Sequence, residues 1–271
     1  MNKKELMENL AILEMRPGKI LGQNFLLDGN LLDFIVRSAA LTPGEIVLEA
    51  GPGFGALTRP LIASGAEVYS IEFDRRVCEF IRERITDSNF HLIEGDACRV
   101  RFEDFLRPGK PFRAIANLPY SISSIFVAKL LELENPPIQM IFMLQKEMGM
   151  RLASPVNTKN YGALTVRTQL LYDVKILRTV PPQVFFPQPG VDSALVEFKL
   201  KANLPEPALR KKVSGLSRTA FAQRRKMIFK PLAASYGTEE VTAALEELNI
   251  SPEVRAGELS VGTYLELAKR L

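Results

Sequence analysis

Between Glu45 and Gln145 short apolar runs alternate with amphipathic stretches of helical length. The runs read "EIVLEAG", "AEVYSIEF", "FHLIEG", "FRAIANL" and "IQMIFMLQ". They are rich in Val, Ile and Phe and are bounded by Gly, Pro or acids, which is how buried strands read. The stretches "GALTRPLIAS" and "DRRVCEFIRERI" separate the first three runs, a polar link follows the third, and "SSIFVAKLLELE" follows the fourth. Strand and helix alternating at this spacing predict a doubly wound, mostly parallel sheet.

After "QKEMGMRLAS" the pattern gives a helix over "YGALTVRTQLLYD" and two late strands, "VKILRTV" and "SALVEFKLK", which bring the sheet to seven. Between those strands lies "PPQVFFPQPGVD", too long and too rich in proline for a plain hairpin turn. Beyond "KANLPEP" the alternation stops. "ALRKKVSGLSRTAFAQRRKMIFKPLAASY", "TEEVTAALEELN" and "VGTYLELAKRL" carry helical periodicity alone. The change sets an expected boundary between a sheet domain at 1–201, with a leader at 1–20, and a small α-helical domain at 202–271.

Composition narrows the chemistry. The chain has 271 residues, 46% hydrophobic and 24% charged, as an ordinary globular protein does. No apolar stretch has the length of a membrane span, and the leader lacks the build of a secretory signal. A cytoplasmic location is the default expectation. One histidine, His91, and two cysteines, Cys78 and Cys98, have no metal-ligand spacing, which leaves little room for a zinc site or an imidazole-based triad. Net charge is only +4, but it is unevenly spread. Lys201, Arg210, Lys211, Lys212, Arg218, Arg224, Arg225 and Lys226 face Glu206 alone over their stretch, as a phosphate-binding surface would require. A solvated helix face is the bland alternative. No long coiled-coil pattern demands a dimer, so a monomer is expected.

The first strand ends in "EAGPGFGALT", where Gly51 and Gly53 let the backbone turn sharply and a ligand lie against it. Read as GxGxxA, this turn fits a dinucleotide fingerprint as well as a site for S-adenosylmethionine. An acid at Glu72 suits the ribose of either ligand, whereas Glu49, Asp96 and the delivery of "NLPY" to the same edge favour the latter. Glu49 precedes the glycines where an acid can meet the methionine portion. Glu72 ends the second strand in "IEFD", where it can grip a ribose diol. Asp96, with Ala97 after it in "EGDA", ends the third strand, where it can accept from an adenine amine. Each acid singly could be a helix cap or a solvated turn residue. The fourth strand delivers "NLPY", Asn117 to Tyr120, to the same edge.

The lone pair of adenine's exocyclic amine is delocalised into the ring, which makes that nitrogen hard to methylate. The side-chain carbonyl of Asn117 and the main-chain carbonyl of Leu118 could accept its two hydrogens and favour a pyramidal nitrogen. Pro119 fixes the turn without a competing N–H, and Tyr120 offers a face for an unstacked base. No imidazole is needed, because the methylated cationic nitrogen sheds its proton readily. Orientation and electrostatics would carry the rate.

At these residues the chain resembles the small-subunit ribosomal RNA adenine-N6,N6 dimethyltransferases. The resemblance runs through "LGQNFL", "LEAGPGFGALT", "IEFD", "EGDA", "NLPYSIS", "FMLQKE", "YGALTV", "VFFPQPGVDSA" and "AFAQRRKMI". It implies a Rossmann-like class I methyltransferase sheet and S-adenosylmethionine as methyl donor, released as S-adenosylhomocysteine. The implied substrate is two adjacent adenosines near the 3′ end of small-subunit RNA within an immature subunit. It further implies that Asn24 and Leu26 close over the cofactor and that Phe185 sandwiches the target base opposite Tyr120. Arg218, Arg224, Arg225 and Lys226 then belong to the RNA-gripping helical domain. The nearest alternative is the large-subunit dimethyltransferase of macrolide resistance; "YGALTV" and "AFAQRRKMI" favour the small-subunit type. A non-enzymatic assembly factor would not need an intact Asn117 and Tyr120. A nicotinamide-linked dehydrogenase would need a hydride-handling acid or base that is missing here.

Overall fold

The structure is a computed structural model that describes residues 1–15, 24–106 and 109–271. The chain forms two compact units. The first comprises residues 1–130, 135–149 and 175–199; the second comprises 131–134, 150–174 and 200–271.

In the first unit the expected strands appear as β2 (Ile46–Ala50), β3 (Glu67–Glu72), β4 (Phe90–Glu94), β5 (Phe112–Asn117) and β6 (Gln139–Gln145). β7 (Tyr172–Val180) and β9 (Ser193–Leu200) complete a seven-stranded sheet in the order β4-β3-β2-β5-β6-β9-β7. The strands from β2 to β6 pair in parallel, and β9 runs antiparallel to β6. Met140 to Leu144 of β6 have no exposed surface, so this central strand is apolar on both faces. The flanking helices turn one side inward. In α4 (Arg75–Arg84), Val77, Cys78, Phe80 and Ile81 are buried while Arg75, Arg76 and Glu79 face out. The order reverses between β2 and β5, whose carboxyl ends carry the glycine turn and Asn117, and ligands of open α/β sheets bind at such a switch point.

Two features depart from the sequence expectation in this unit. The leader contains a helix, α1 (Lys3–Ile12), closed by an Asn2 capping box, and it buries Leu6 and Leu10 in the core. A two-stranded antiparallel ribbon also forms, with β1 (Phe25–Leu26) against β8 (Phe185–Phe186). Each strand is two residues long, too short to leave a periodic signal. Leu21, Gly22 and Gln23 of "LGQNFL" lie outside the described residues.

The second unit is helical, but a single cut after residue 201 does not bound it, because 131–134 and 150–174 also belong to it. The physical reason is packing: α7 (Ala163–Leu171) presses against α8 (Pro207–Phe221) and α11 (Val261–Arg270). Tyr161, Phe221 and Tyr264 form the aromatic centre, with successive ring centroids 6.1 Å apart, and the Tyr264 hydroxyl donates to the Ala256 carbonyl. The long helical stretch read from the sequence breaks after α8 and resumes at α9 (Phe229–Tyr236). The intervening turn is pinned by a bridge between Met227 and Arg255 and by buried Ile228. α10 (Thr238–Glu247) completes the unit.

Candidate active site

β2 runs straight into the glycine turn. Gly51 and Gly53 have φ of 71° and 54°, the left-handed region where a side chain is strained. The Gly51 N–H donates to the Ile71 carbonyl at 2.9 Å, which ties the turn to β3. A Cβ on Gly51 would stand 3.4 Å from the Pro119 ring, and one on Gly53 would stand 3.1 Å from the Phe25 ring. The proline of "NLPY" is therefore a packing surface for the glycine turn as well as a bend.

These elements enclose an open cavity of about 310 Å³. All the residues expected at the cofactor line it: Asn24 and Leu26 from one edge, Glu49, Gly51 and Gly53 from the first turn, Glu72, Asp96 and Ala97 from the next two strand ends, and Asn117. Leu118 and Pro119 line it too. The register explains the convergence, since β2, β3 and β4 pair in parallel and so end on one edge.

The three acids differ in setting. Glu49 is 1% exposed, and its Oε2 accepts from the Thr58 hydroxyl at 2.8 Å and from the Ser70 hydroxyl at 2.6 Å. Burial pushes its carboxyl up to about 7 against the pull of Ser70 and Thr58, and the charge of Glu72 adds to the rise. Among the described residues Oε1 accepts no hydrogen bond, which leaves it to the cavity. The Oε1 of Glu72 accepts from the N–H groups of Phe73 at 2.8 Å and Asp74 at 3.0 Å, and its Oε2 from Gly53 N–H at 3.3 Å. Burial raises its pKa in spite of those donors. Asp96 is half-buried, accepts from Cys98 N–H at 2.8 Å and pairs with Arg99 at 3.4 Å.

Asn117 ends β5. Its Nδ2 donates to the main-chain carbonyl of Asn24 at 2.9 Å, so the amide is held across the cavity mouth with its donor end engaged. Oδ1 is then the end left to accept. Lys129 of α5 (Ser123–Glu132) donates to the carbonyls of Ala97 and Val100 and braces the turn after β4 from behind.

Tyr120 is half-buried and stands outside the cavity lining. Its hydroxyl shares a hydrogen bond with Ser193 Oγ at the start of β9. Burial raises the phenol's pKa. Phe185 departs from expectation. Its ring is 2% exposed and sits in the core cluster with Phe25 and Leu26, because the pairing of β8 with β1 turns it inward. The stacking face expected opposite Tyr120 is not presented in this structure.

Four contributors escaped sequence reasoning. Thr58 and Ser70 clamp Glu49, and Ser193 anchors Tyr120. Phe73 lines the cavity with 65% of its surface exposed. An aromatic directly after a strand-end acid was the available signal. Arg218 lies on α8 and is exposed; Arg224, Arg225 and Lys226 are exposed on the turn after it, where Arg224 donates to the Thr158 carbonyl at 2.9 Å. No helix among the described residues is long and apolar enough to cross a membrane.

Comparison with known proteins agrees with this arrangement. A family described as "Ribosomal RNA adenine dimethylase" matches residues 18–271. A "Ribosomal RNA small subunit methyltransferase A" of Chlamydia caviae is 39% identical over 97% of this chain and 95% of its own length. A namesake in Gloeobacter violaceus is 40% identical over 93% of each chain. Among solved structures, a dimethyladenosine transferase from Plasmodium falciparum superposes with a TM-score of 0.75 at 26% identity, covering 90% of this chain and 95% of that one. The 23S rRNA methyltransferase ErmE superposes with a TM-score of 0.67 at 30% identity, covering 92% and 99%. A match of this extent, over a cavity floored by two positive-φ glycines and fronted by "NLPY", places the chain in the ribosomal RNA adenine dimethylase family.

Proposed function

We propose that this chain dimethylates the N6 amines of two adjacent adenosines near the 3′ end of small-subunit ribosomal RNA, on an immature subunit in the cytoplasm. The curated relatives at 39 and 40% identity carry the small-subunit name, which favours that substrate over the large-subunit one. The observation that carries the chemistry is the orientation of Asn117, whose amide donor is spent on Asn24 and whose Oδ1 is left for an incoming amine.

The cavity fits S-adenosylmethionine by its own chemistry. Its floor at Gly51 and Gly53 is bare of side chains, its walls at Leu26 and Phe73 are apolar, and its acids match a hydroxyl-rich, cationic ligand. When bound there, S-adenosylmethionine supplies the methyl group and leaves as S-adenosylhomocysteine. Glu72 would accept from ribose hydroxyls, Asp96 from an adenine amine, and Glu49 would offer its open oxygen to an ammonium group. Asn24 and Leu26 would cover the bound cofactor, and Phe73 and Ala97 would supply apolar contact to its base.

The target amine meets Asn117 Oδ1 and the Leu118 carbonyl. Two acceptors on one amine draw its hydrogens aside and localise the nitrogen lone pair toward the methyl donor. The Tyr120 ring, tethered through Ser193, supplies a stacking face for the base. The methylated nitrogen is acidic and releases its proton to water without a dedicated base. The exposed cations of the helical unit, Arg218, Arg224, Arg225 and Lys226, hold the RNA backbone.

Mass spectrometry of nucleosides tests the reading. The protein is incubated with labelled methyl donor and either immature small subunits or naked large-subunit RNA. The expected product is N6,N6-dimethyladenosine in small-subunit RNA. Label confined to large-subunit RNA would overturn the choice of substrate.

A further inference from the structure

The second unit holds a groove of about 630 Å³ between α7, α8 and the turn at 131–134. Helical spacing explains its composition. Lys211, Ser214 and Arg218 are spaced three and four residues apart and Arg210 stands four before Ser214 and eight before Arg218, so they share one face of α8, and all four line the groove. Arg167 of α7 lines it from across. Glu132 pairs with one of these cations, accepting from Arg167 at 2.9 Å. Among the described residues no carboxylate lies within ion-pair distance of Arg210, Lys211 or Arg218.

Two polar side chains inside the groove are left unsatisfied. Ser214 is 7% exposed, and its hydroxyl makes no hydrogen bond. A helical serine ordinarily settles such a hydroxyl on a carbonyl one turn back. Arg210 commits its terminal nitrogens to the carbonyls of Leu133 and Glu134, at 3.3 and 2.8 Å, while its Nε has no partner. Buried polar groups without partners are uncommon in folded proteins and call for an explanation. Crowded cations add strain of the same sign, since burial and the nearby Arg218 both disfavour the charge on Arg167, against the support of Glu132.

We propose that this groove is a seat for one phosphodiester group of the RNA backbone, held by Lys211 and Arg218 with the Ser214 hydroxyl as neutral donor. The inference rests on the reading of the chain as an RNA-binding enzyme, and it adds a discrete subsite to a diffuse basic surface. A phosphate offers acceptor oxygens in several directions, which matches a hydroxyl donor flanked by Lys211 and Arg218, neither of which is paired with a carboxylate of the described residues. The exposed Glu134 at the rim disfavours a more highly charged free phosphate.

The test measures binding of a short RNA hairpin to the full chain by fluorescence anisotropy across a salt series, with S-adenosylmethionine binding by calorimetry as a separate readout. Lys211→Gln with Arg218→Gln should weaken RNA binding and flatten the slope of log affinity against log salt by about 0.8, the share of one phosphate. Ser214→Ala changes no charge and should still weaken binding roughly threefold. Lys230→Gln, which removes a cation outside the groove lining, should do less than either. Unchanged RNA affinity and slope in both groove variants would overturn the proposal. So would saturable binding of inorganic phosphate that the groove variants abolish while RNA affinity stays intact, which would assign the groove to a small anion. Failure of methyl transfer with these binding results intact would count against the proposed activity and leave the subsite standing.

Discussion

At the scale of single residues, two side chains decide what the cavity can do. Asn117 is placed by the end of β5 and turned by its bond to Asn24. Asn117→Ala removes an acceptor that works on the amine, and loss of one such preorganised group costs roughly 100-fold or more in rate. Single-turnover methylation should show that loss, with cofactor affinity falling only a few-fold through the freed Asn24; near-normal turnover would sink the proposed amine contact. Glu49 answers to pH. Its folded pKa of about 7 lies above the ordinary 4.5, so the native chain keeps a proton that the unfolded chain gives up between those values. Stability is then fully present below pH 4.5 and declines as pH rises through 7, by roughly 3 kcal/mol. Glu72 is shifted the same way and adds to the slope. Denaturant unfolding at about pH 5 and pH 8 should show the decline, and Glu49→Gln should reduce it without removing it. Over the same range, affinity for S-adenosylmethionine should rise as the carboxylate forms opposite an ammonium group. A cofactor affinity flat across that range would disprove the pairing.

At the scale of elements, the central strands were legible because they are apolar runs that bury both faces, as Met140 to Leu144 do in β6, while β4 and β7 at the two edges of the sheet are less buried and were legible from their apolar, β-branched composition. The acids and Asn117 were legible because a parallel sheet places every strand end on one edge, so chain position fixes location. What stayed hidden depends on contacts distant in sequence. β1 and β8 are two residues each and exist only because they pair with one another. That pairing is also what buries Phe185, so a motif position readable in sequence acquired a different environment in the fold. The break between α8 and α9 falls in a stretch with few apolar residues, where periodicity has nothing to register. Ser193 lies 73 residues from Tyr120 and reaches it because β9 inserts beside β6. Ser193→Ala therefore tests whether that strand order serves the chemistry. The variant should raise KM for RNA several-fold and lower kcat modestly, while cofactor affinity holds, since Tyr120 does not line the cavity. A change confined to cofactor binding would mean that the hydroxyl pair supports the cavity wall instead.

At the scale of the whole molecule, the net charge of +4 is too small to hold RNA by itself, so affinity must come from where the cations stand. The turn between α8 and α9 is the clearest such place outside the groove. Arg224, Arg225 and Lys226 are exposed there, and the turn is anchored at both sides: Arg224 donates to Thr158, Met227 bridges to Arg255, and Ile228 is buried. An anchored turn presents its charges with part of the ordering cost already met, which a solvated, unfixed loop would not. Each phosphate contact contributes close to one unit to the salt slope of binding. Arg224→Gln with Arg225→Gln should therefore weaken RNA binding at low salt and flatten the slope by about 1.5, with the loss shrinking as salt rises. Cofactor affinity should not change, because neither residue lines the cavity. If the double variant binds RNA with an unaltered salt slope, the turn's charges are merely solvated. The burden of holding the backbone then passes to the α8 groove, whose variants separate the two surfaces in the same assay.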